Sequence, residues 1–527
     1  MIIKIHWIGF TLTSKVNNMR FSITHCFTLL ALLINCDFLP LAYGEEILPK
    51  GVKKALQAFK MPETAVAFHV IPITLSPLQT QQFSWRARSP MNPASTIKLL
   101  TTISAIDLLS PQYRWKTNVY ATNSIEQGVL NGNLIWQGQG DPKFVPEELS
   151  KIMADLRQLG INEINGNLVF DRSAYSPSVK KTAPEDGEAS RTYNVPPDAL
   201  LYSFQTLSFK ISNIGGEPQI TYTPRIAGLH IKNQLKSSKD SCADWTKNIK
   251  AEVHQVNPDE WSASFSGKFS INCPDTPWNI VALNSNDFLK QGIIAAWEDA
   301  GGIWKKTPDA LDGQVASYLK PLVSHQGILM SDAVKDTNKY SNNVMARQIF
   351  LTIGLEKGNK PVTTDESSRI IKDWLKRSNL QFPELVLENG SGLSNIERIS
   401  PQSMTSLLNF AVHSKNSEVI VNSLPIAGVD GTMKHRLLSR LKKLWEGNSS
   451  ELVFHPDTTL PSTLQKSGAY MKTGTLQTVR AIAGYVVSKS GKVYAVSSII
   501  NHPNAAMGGS GVNDAVISWI LDDCPHD

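Results

Sequence analysis

Apolar and polar positions along this chain switch between helical and strand-like spacing. Residues 94–109 run apolar with helical spacing, from Asn92-Pro93 to a stop at Ser110-Pro111. Asparagine is a good N-cap and proline a good first helical residue, so a helix is expected to start here. Residues 47–59 read as a shorter helix upstream. Between the two, 64–70 and 82–88 cluster or alternate like paired strands. The C-terminal end mirrors this arrangement. Strands are expected at 481–487 and 493–501 around the turn Ser488-Lys489-Ser490-Gly491, and a helix at 511–521. Two strands at each end imply one sheet built from both termini, with an insertion and a helical region in the middle.

The insertion has its own pattern. Asn131-Gly132-Asn133-Leu134 and Asn165-Gly166-Asn167-Leu168 each open an apolar strand. Residues 146–159 between them place Leu149, Ile152, Leu156 and Leu159 at helical spacing, which predicts strand, helix, strand. Residues 205–275 alternate strand-like pieces with Gly, Pro and Asn and read as a small β-rich module. Residues 284–300 form an amphipathic helix, after which the chain is expected to rejoin the first domain; 335–355 and 366–376 read as further helices.

A length of 527 residues leaves room for two to four domains. Residues 1–44 carry Arg20, a short apolar stretch over 26–34 and Ala42-Tyr43-Gly44, the pattern of a cleaved secretory leader, with an uncleaved anchor as the other reading and Met1 or Met19 as the start. Its removal takes Lys4, Lys15 and Arg20 against Asp37 and lowers the net charge from +6 to +4. There is no basic stripe with interleaved aromatics, so nucleic acid is not an expected partner. Cys242, Cys273 and Cys524 remain after the leader, and an exported chain allows Cys242 and Cys273 to pair. No Cys-x-x-Cys or His-Glu-x-x-His spacing occurs, and no metal or cofactor is expected.

Three polar clusters carry chemistry. Ser95 falls in the first turn of its helix and Lys98 three residues on, on the same face. A serine beside a lysine can act as nucleophile and base if the amine is neutral. Ser341-Asn342-Asn343 lies in or beside a helix, and Lys472-Thr473-Gly474-Thr475 directly precedes the C-terminal hairpin. Ser-x-x-Lys recurs, as at Ser178 and Ser439, and Ser-x-Asn recurs, as at Ser414, so neither is distinctive alone; Lys-Thr-Gly occurs once. The ordered set is what signals a site. Ser95 would be acylated, and Lys98 would take its proton. Burial and the Lys472 ammonium would keep Lys98 neutral. Ser341 would relay a proton, and Asn343 would hold Lys98 and a substrate amide. Lys472, Thr473 and Thr475 would meet a substrate carboxylate, and Gly474 would let the substrate backbone lie close. The N–H groups of Ser95 and Thr475 would form an oxyanion hole.

With Gly140-Asp141-Pro142, Val169-Phe170-Asp171-Arg172-Ser173, Asn389-Gly390-Ser391-Gly392-Leu393-Ser394 and Leu424-Pro425-Ile426-Ala427-Gly428-Val429-Asp430-Gly431-Thr432, the chain after residue 44 resembles the type-4 penicillin-binding proteins. These are low-molecular-weight class C serine D-alanyl-D-alanine carboxypeptidases and endopeptidases. The resemblance implies an α+β, penicillin-binding/β-lactamase-like transpeptidase fold, an antiparallel sheet flanked by helices. It implies two further domains inserted after the nucleophile helix. The expected division is a leader over 1–44, a catalytic domain over 45–112 and 286–527, and inserted domains over 113–285 with the β-rich module at 205–275 nested inside. It also implies action on peptidoglycan stem peptides and cross-links, covalent inhibition by β-lactam antibiotics, and a periplasmic location with at most loose membrane association. Asp171 matches a family aspartate near the cleft. A β-lactamase or esterase on the same scaffold, or a non-catalytic wall-binding protein, are the rival readings. Three departures stand out: Asn342 replaces a common aspartate, Arg480 stands where uncharged residues occur, and residues 439–466 form a long loop before Lys472.

Overall fold

The computed structural model describes residues 45–73, 81–180, 187–188, 190–242, 247–447 and 460–525. The leader expected over 1–44 and much of the long loop before Lys472 lie outside the described residues.

Six strands form the sheet that carries the site. In spatial order they are Glu45–Glu46, Phe83–Trp85, Val66–Pro72, Val493–Asn501, Val479–Val487 and Gly468–Leu476. Both ends of the chain therefore contribute, as the alternation at each end implied. Neighbours run antiparallel apart from the short pair at one edge. Successive side chains on a strand face opposite sides, so each strand feeds two cores. Phe68 and Val70 pack with Val52, Leu56, Val512 and Val516 from the helices Lys50–Ala58 and Ala505–Leu521. Ala67 faces the other way, into a core with Leu100, Ile103, Leu407 and Leu408 from helices Lys98–Leu109 and Pro401–Val412. Each fully buried Leu or Phe contributes roughly 1.5–3 kcal/mol of transfer free energy. With helices on both faces, the two C-terminal strands are apolar along nearly their whole length and buried except at Arg480 and Asn501.

The Asn-Gly-Asn-Leu repeat folds as two parallel strands side by side, Leu134–Gly138 and Leu168–Asp171, with Leu134 opposite Leu168. The helix Pro146–Gln158 crosses between them and buries Leu149, Ile152 and Leu156. The asparagines explain why the motif repeats: Asn133 Oδ1 accepts from Asn167 N at 2.9 Å, and Asn165 Nδ2 donates to Asn131 Oδ1 at 3.0 Å. The β-rich module consists of two three-stranded sheets around Phe209 and Phe265.

Cys242 and Cys273 form a disulfide there, with Cα atoms 5.2 Å apart and a sequence separation of 31. By the loop-closure argument this constraint stabilises by about 3–4 kcal/mol. Reduction, or the double change Cys242→Ser with Cys273→Ser, is expected to lower the unfolding free energy by that amount in a urea titration, and so to lower the midpoint. An unchanged midpoint would contradict it.

Two boundaries differ from expectation. The insertion does not end at 285. Helix Ser285–Asp299 turns Phe288, Leu289, Ile293 and Trp297 into the insertion's own core. The strands that follow extend its sheets: Ile303–Trp304 beside Glu163–Ile164, Ala310–Asp312 beside Leu168–Asp171, and Val323–Leu329 beside Arg114–Ala121. The chain re-enters the helical region only at Met330. An amphipathic pattern reveals an apolar face but not which core it meets. The helix expected over 335–355 is likewise two helices, Met330–Tyr340 and Asn343–Lys357. Ser341 between them is left-handed, with φ 57° and ψ 36°, and Asn342 caps the second helix by accepting from Met345 N at 3.0 Å. A capping side chain competes with helix continuation, and here it wins.

Candidate active site

The Ser95 helix begins with a tight 3-10 turn, Ala94–Ile97, before the α-helix Lys98–Leu109. Asn92 Oδ1 accepts from Ala94 N at 2.8 Å, and its Nδ2 donates to Ser394 O at 2.8 Å. Asn92 thus ties the helix start to the turn at Asn389–Ser394. Gly392 in that turn has φ 77°, and a Cβ there would sit 2.1 Å from Ala94 O. Only glycine lets the turn press this closely on the residue before Ser95.

Lys98 is completely buried, and its Nζ lies 2.8 Å from Ser95 Oγ and 2.6 Å from Asn343 Oδ1, with Ser391 O as a third neighbour. Two of these partners are carbonyl oxygens, which only accept. A neutral amine donates one N–H to each and keeps its lone pair for the Ser95 hydroxyl. Electrostatics favours that form. Burial first, then repulsion from Lys472, holds the Lys98 amine well below the usual lysine range; the Glu397 carboxylate acts in the opposite direction and Arg347 adds to the lowering. The sequence reading invoked both causes, and desolvation is the larger.

Lys472 lies on the edge strand Gly468–Leu476 and is also fully buried. Its Nζ donates to Ser341 Oγ at 2.8 Å and to Thr473 O at 2.6 Å. Burial lowers its pKa to about 7. The strand passes directly beside the helix start: a Cβ at Gly474 would lie 2.7 Å from Pro93 O and 3.0 Å from Ser95 N. Ser95 and Thr475 thus share the open side of the strand.

Ser341 is held in place by residues that the motifs do not contain. Lys339 Nζ donates to Asp430 Oδ2 at 2.6 Å and to Leu424 O at 2.6 Å, while Asp430 Oδ1 accepts from Ile426 N at 2.8 Å. This pins the loop over 424–432 against the end of the Ser341 helix. Thr432 Oγ1 then meets Thr473 Oγ1 at 2.8 Å. Glu397 does comparable work behind Lys98: it is fully buried, and Oε1 accepts the N–H groups of Glu388, Asn389 and Gly390, each at 3.1 Å. Sequence reading passed over Lys339, Asp430, Thr432 and Glu397 as site residues, because a charge near a Gly-rich stretch looks like any solvated charge.

Ser95, Ser341, Asn343, Thr473 and Thr475 open onto one cleft of about 710 Å³. Asp171 does not line it. Its carboxylate is buried and accepts from Ser173 N at 2.9 Å, Val315 N at 3.0 Å and Gln137 Nε2 at 2.9 Å. These bonds hold its pKa below the usual value against the opposing effect of burial, which is the largest single influence. Asp171 fastens the end of a strand in the insertion. Arg480 caps a turn, donating to Leu476 O at 2.6 Å and Val479 O at 2.8 Å, as an ordinary strand-edge arginine does.

The family model described as D-Ala-D-Ala carboxypeptidase 3 (S13) matches residues 51–448, well over half of the chain. The chain belongs to this S13 family. It is 25% identical over 419 residues to the D-alanyl-D-alanine carboxypeptidase DacB of Haemophilus influenzae, covering 78% of this chain and 80% of that one. A crystal structure of penicillin binding protein 4 (dacB) from Haemophilus influenzae matches with a TM-score of 0.67 at 22% identity, covering 90% of this chain and 99% of the other. A second structure of that protein, complexed with a β-lactam, matches at TM-score 0.64 and 21% identity, covering 91% and 100%. The α+β fold with inserted domains is therefore that of the S13 penicillin-binding proteins. The family match stops before Lys472, and it is the fold that carries this strand to Ser95. S13 enzymes are serine-type D-Ala-D-Ala carboxypeptidases, and this chain is one of them.

Proposed function

We propose that this S13 enzyme removes the terminal D-alanine of peptidoglycan stem peptides, and opens D-alanyl cross-links, through an ester on Ser95. The Ser95 hydroxyl gives its proton to Lys98 Nζ as Oγ attacks the carbonyl carbon of the scissile peptide bond. The N–H groups of Ser95 and Thr475 stabilise the resulting oxyanion. Collapse of this intermediate breaks the C–N bond. The leaving amine takes its proton from the Lys98 side through Ser341, whose hydroxyl sits on Lys472. Water then hydrolyses the ester, and Lys98 again receives the proton. β-Lactams are cyclic amides that enter the same acylation step. The β-lactam complex of the Haemophilus influenzae protein supports this for a relative of the same fold.

One observation carries the reading: a lysine amine without solvent exposure, bonded to two carbonyl acceptors and one serine hydroxyl. The test is peptide mapping after brief exposure to penicillin. The acyl mass is expected on the peptide containing Ser95 and nowhere else; an adduct elsewhere, or none, would overturn the assignment. Export to the periplasm belongs to the same proposal. The pattern over 1–44 and the Cys242–Cys273 disulfide, which suits an oxidising compartment, support it. Among the described residues no helix is long and apolar enough to cross a membrane.

A further inference from the structure

The substrate proposed above ends in a carboxylate, and Lys472 is poorly placed to meet it. Its Nζ is fully buried and already engaged with Ser341 Oγ and Thr473 O. Burial also lowers its pKa to about 7, which weakens its hold on a positive charge. Among the described residues that line the Ser95 cleft, one carries a charge, and it is Arg436. A guanidinium keeps its charge at any pH the enzyme meets.

Arg436 is mostly buried, with 19% of its side chain exposed. Nη2 donates to Asp514 Oδ1 at 2.5 Å and to Ser510 O at 3.1 Å, so one end of the guanidinium is fixed. Nε is buried and has no hydrogen-bond partner. Nε has no surface open to the cleft, so a carboxylate would meet the exposed part of the guanidinium, whose planar fork suits its two oxygens. Thr432, Thr473 and Thr475 line the same cleft and bring hydroxyl groups suited to the second oxygen.

We propose that Arg436 is the docking residue for the terminal carboxylate of the substrate, with threonine hydroxyls beside it, while Lys472 acts behind the strand on Ser341. The proposal rests on the peptidase reading given above. It makes Arg436 a determinant of specificity for free peptide ends.

The test compares diacyl-L-lysyl-D-alanyl-D-alanine with the same peptide as its C-terminal amide, which lacks the charge. The wild-type enzyme is expected to favour the acid by about 10–100-fold in kcat/KM, the range for one charge-assisted hydrogen bond. Arg436→Gln is expected to lose about 10–100-fold on the acid, mainly through KM, and to bring the acid-to-amide ratio within about threefold. Arg436→Lys keeps a cation for Asp514 but not the planar fork, and is expected to fall between. If Arg436→Gln folds poorly, as its melting curve will report, Arg436→Lys carries the test alone. A wild-type acid-to-amide ratio in the folded variants would overturn the proposal. Failure of the wild-type enzyme to cleave either peptide would count against the peptidase reading instead.

Discussion

Ser95→Ala is expected to release D-alanine from a pentapeptide at least about 10⁴-fold more slowly than the wild-type enzyme and to take up no fluorescent penicillin. The size of the effect follows from the geometry. Among the described residues, Ser95 supplies the one hydroxyl bonded to the Lys98 amine, so no neighbouring oxygen can be acylated in its place. The rest of the cleft is untouched by the change. Alanine keeps the backbone N–H at residue 95, and the groups from Asn343, Thr473 and Thr475 still face the ligand. Substrate affinity should therefore stay within a few-fold of wild type while turnover disappears. Stability should move little, because the side chain gives up one hydrogen bond worth about 1 kcal/mol. Chromatographic detection of released D-alanine gives the rate, and calorimetric titration of the peptide gives the affinity. A variant that still turns over would remove Ser95 from its role.

The parts of this enzyme legible in the sequence share a cause. Helix starts, alternating strands and turn residues are written locally, and so both chain ends could be assigned to one sheet before any coordinates. The three motifs are also local: Ser95 and Lys98 meet because three residues separate them on one helical face. What was misread depends on partners distant in sequence. Helix Ser285–Asp299 is amphipathic whichever core it faces, and only Phe288 and Trp297 packing with the insertion decides between them. Lys339 finds Asp430 across 91 positions, and Arg436 finds Asp514 across 78. Neither pair leaves a spacing that a reader of the chain can detect. Asp171 shows the same dependence on distant partners. Its carboxylate accepts from Val315 N, 144 positions away, within the insertion. In sequence, Asn342 stands out only as a replacement for a common aspartate. Its capping bond to Met345 is what breaks the helix and sets Ser341 in the left-handed conformation that aims it at Lys472.

Lys98→Met should have the second largest effect, a loss of about 10²–10⁴-fold in kcat/KM, the usual contribution of a positioned general base. Methionine fills much of the same volume, but it leaves Asn343 Oδ1 and Ser391 O without the donor they now share. A melting curve separates that structural cost from the catalytic one. The pH profile gives the sharper readout. Lys98 works as its neutral amine, so kcat/KM of the wild-type enzyme rises as pH increases through the depressed pKa of Lys98. Lys472 acts through its charge and has a pKa of about 7, so activity should decline as pH rises past that value. The two amines repel each other, and the limbs of the resulting bell belong to the pair rather than to either residue. Lys472→Gln removes the repulsion that helps depress Lys98. Its acid limb should therefore move to higher pH, nearer to an ordinary lysine, and its alkaline limb should vanish. Burial remains the larger cause of the depression, so the acid limb should still fall well short of the usual lysine range. An acid limb that stays in place in Lys472→Gln would mean that Lys98 does not feel this neighbour, and one that moves to lower pH would mean that the group titrating there is not a base repelled by a cation.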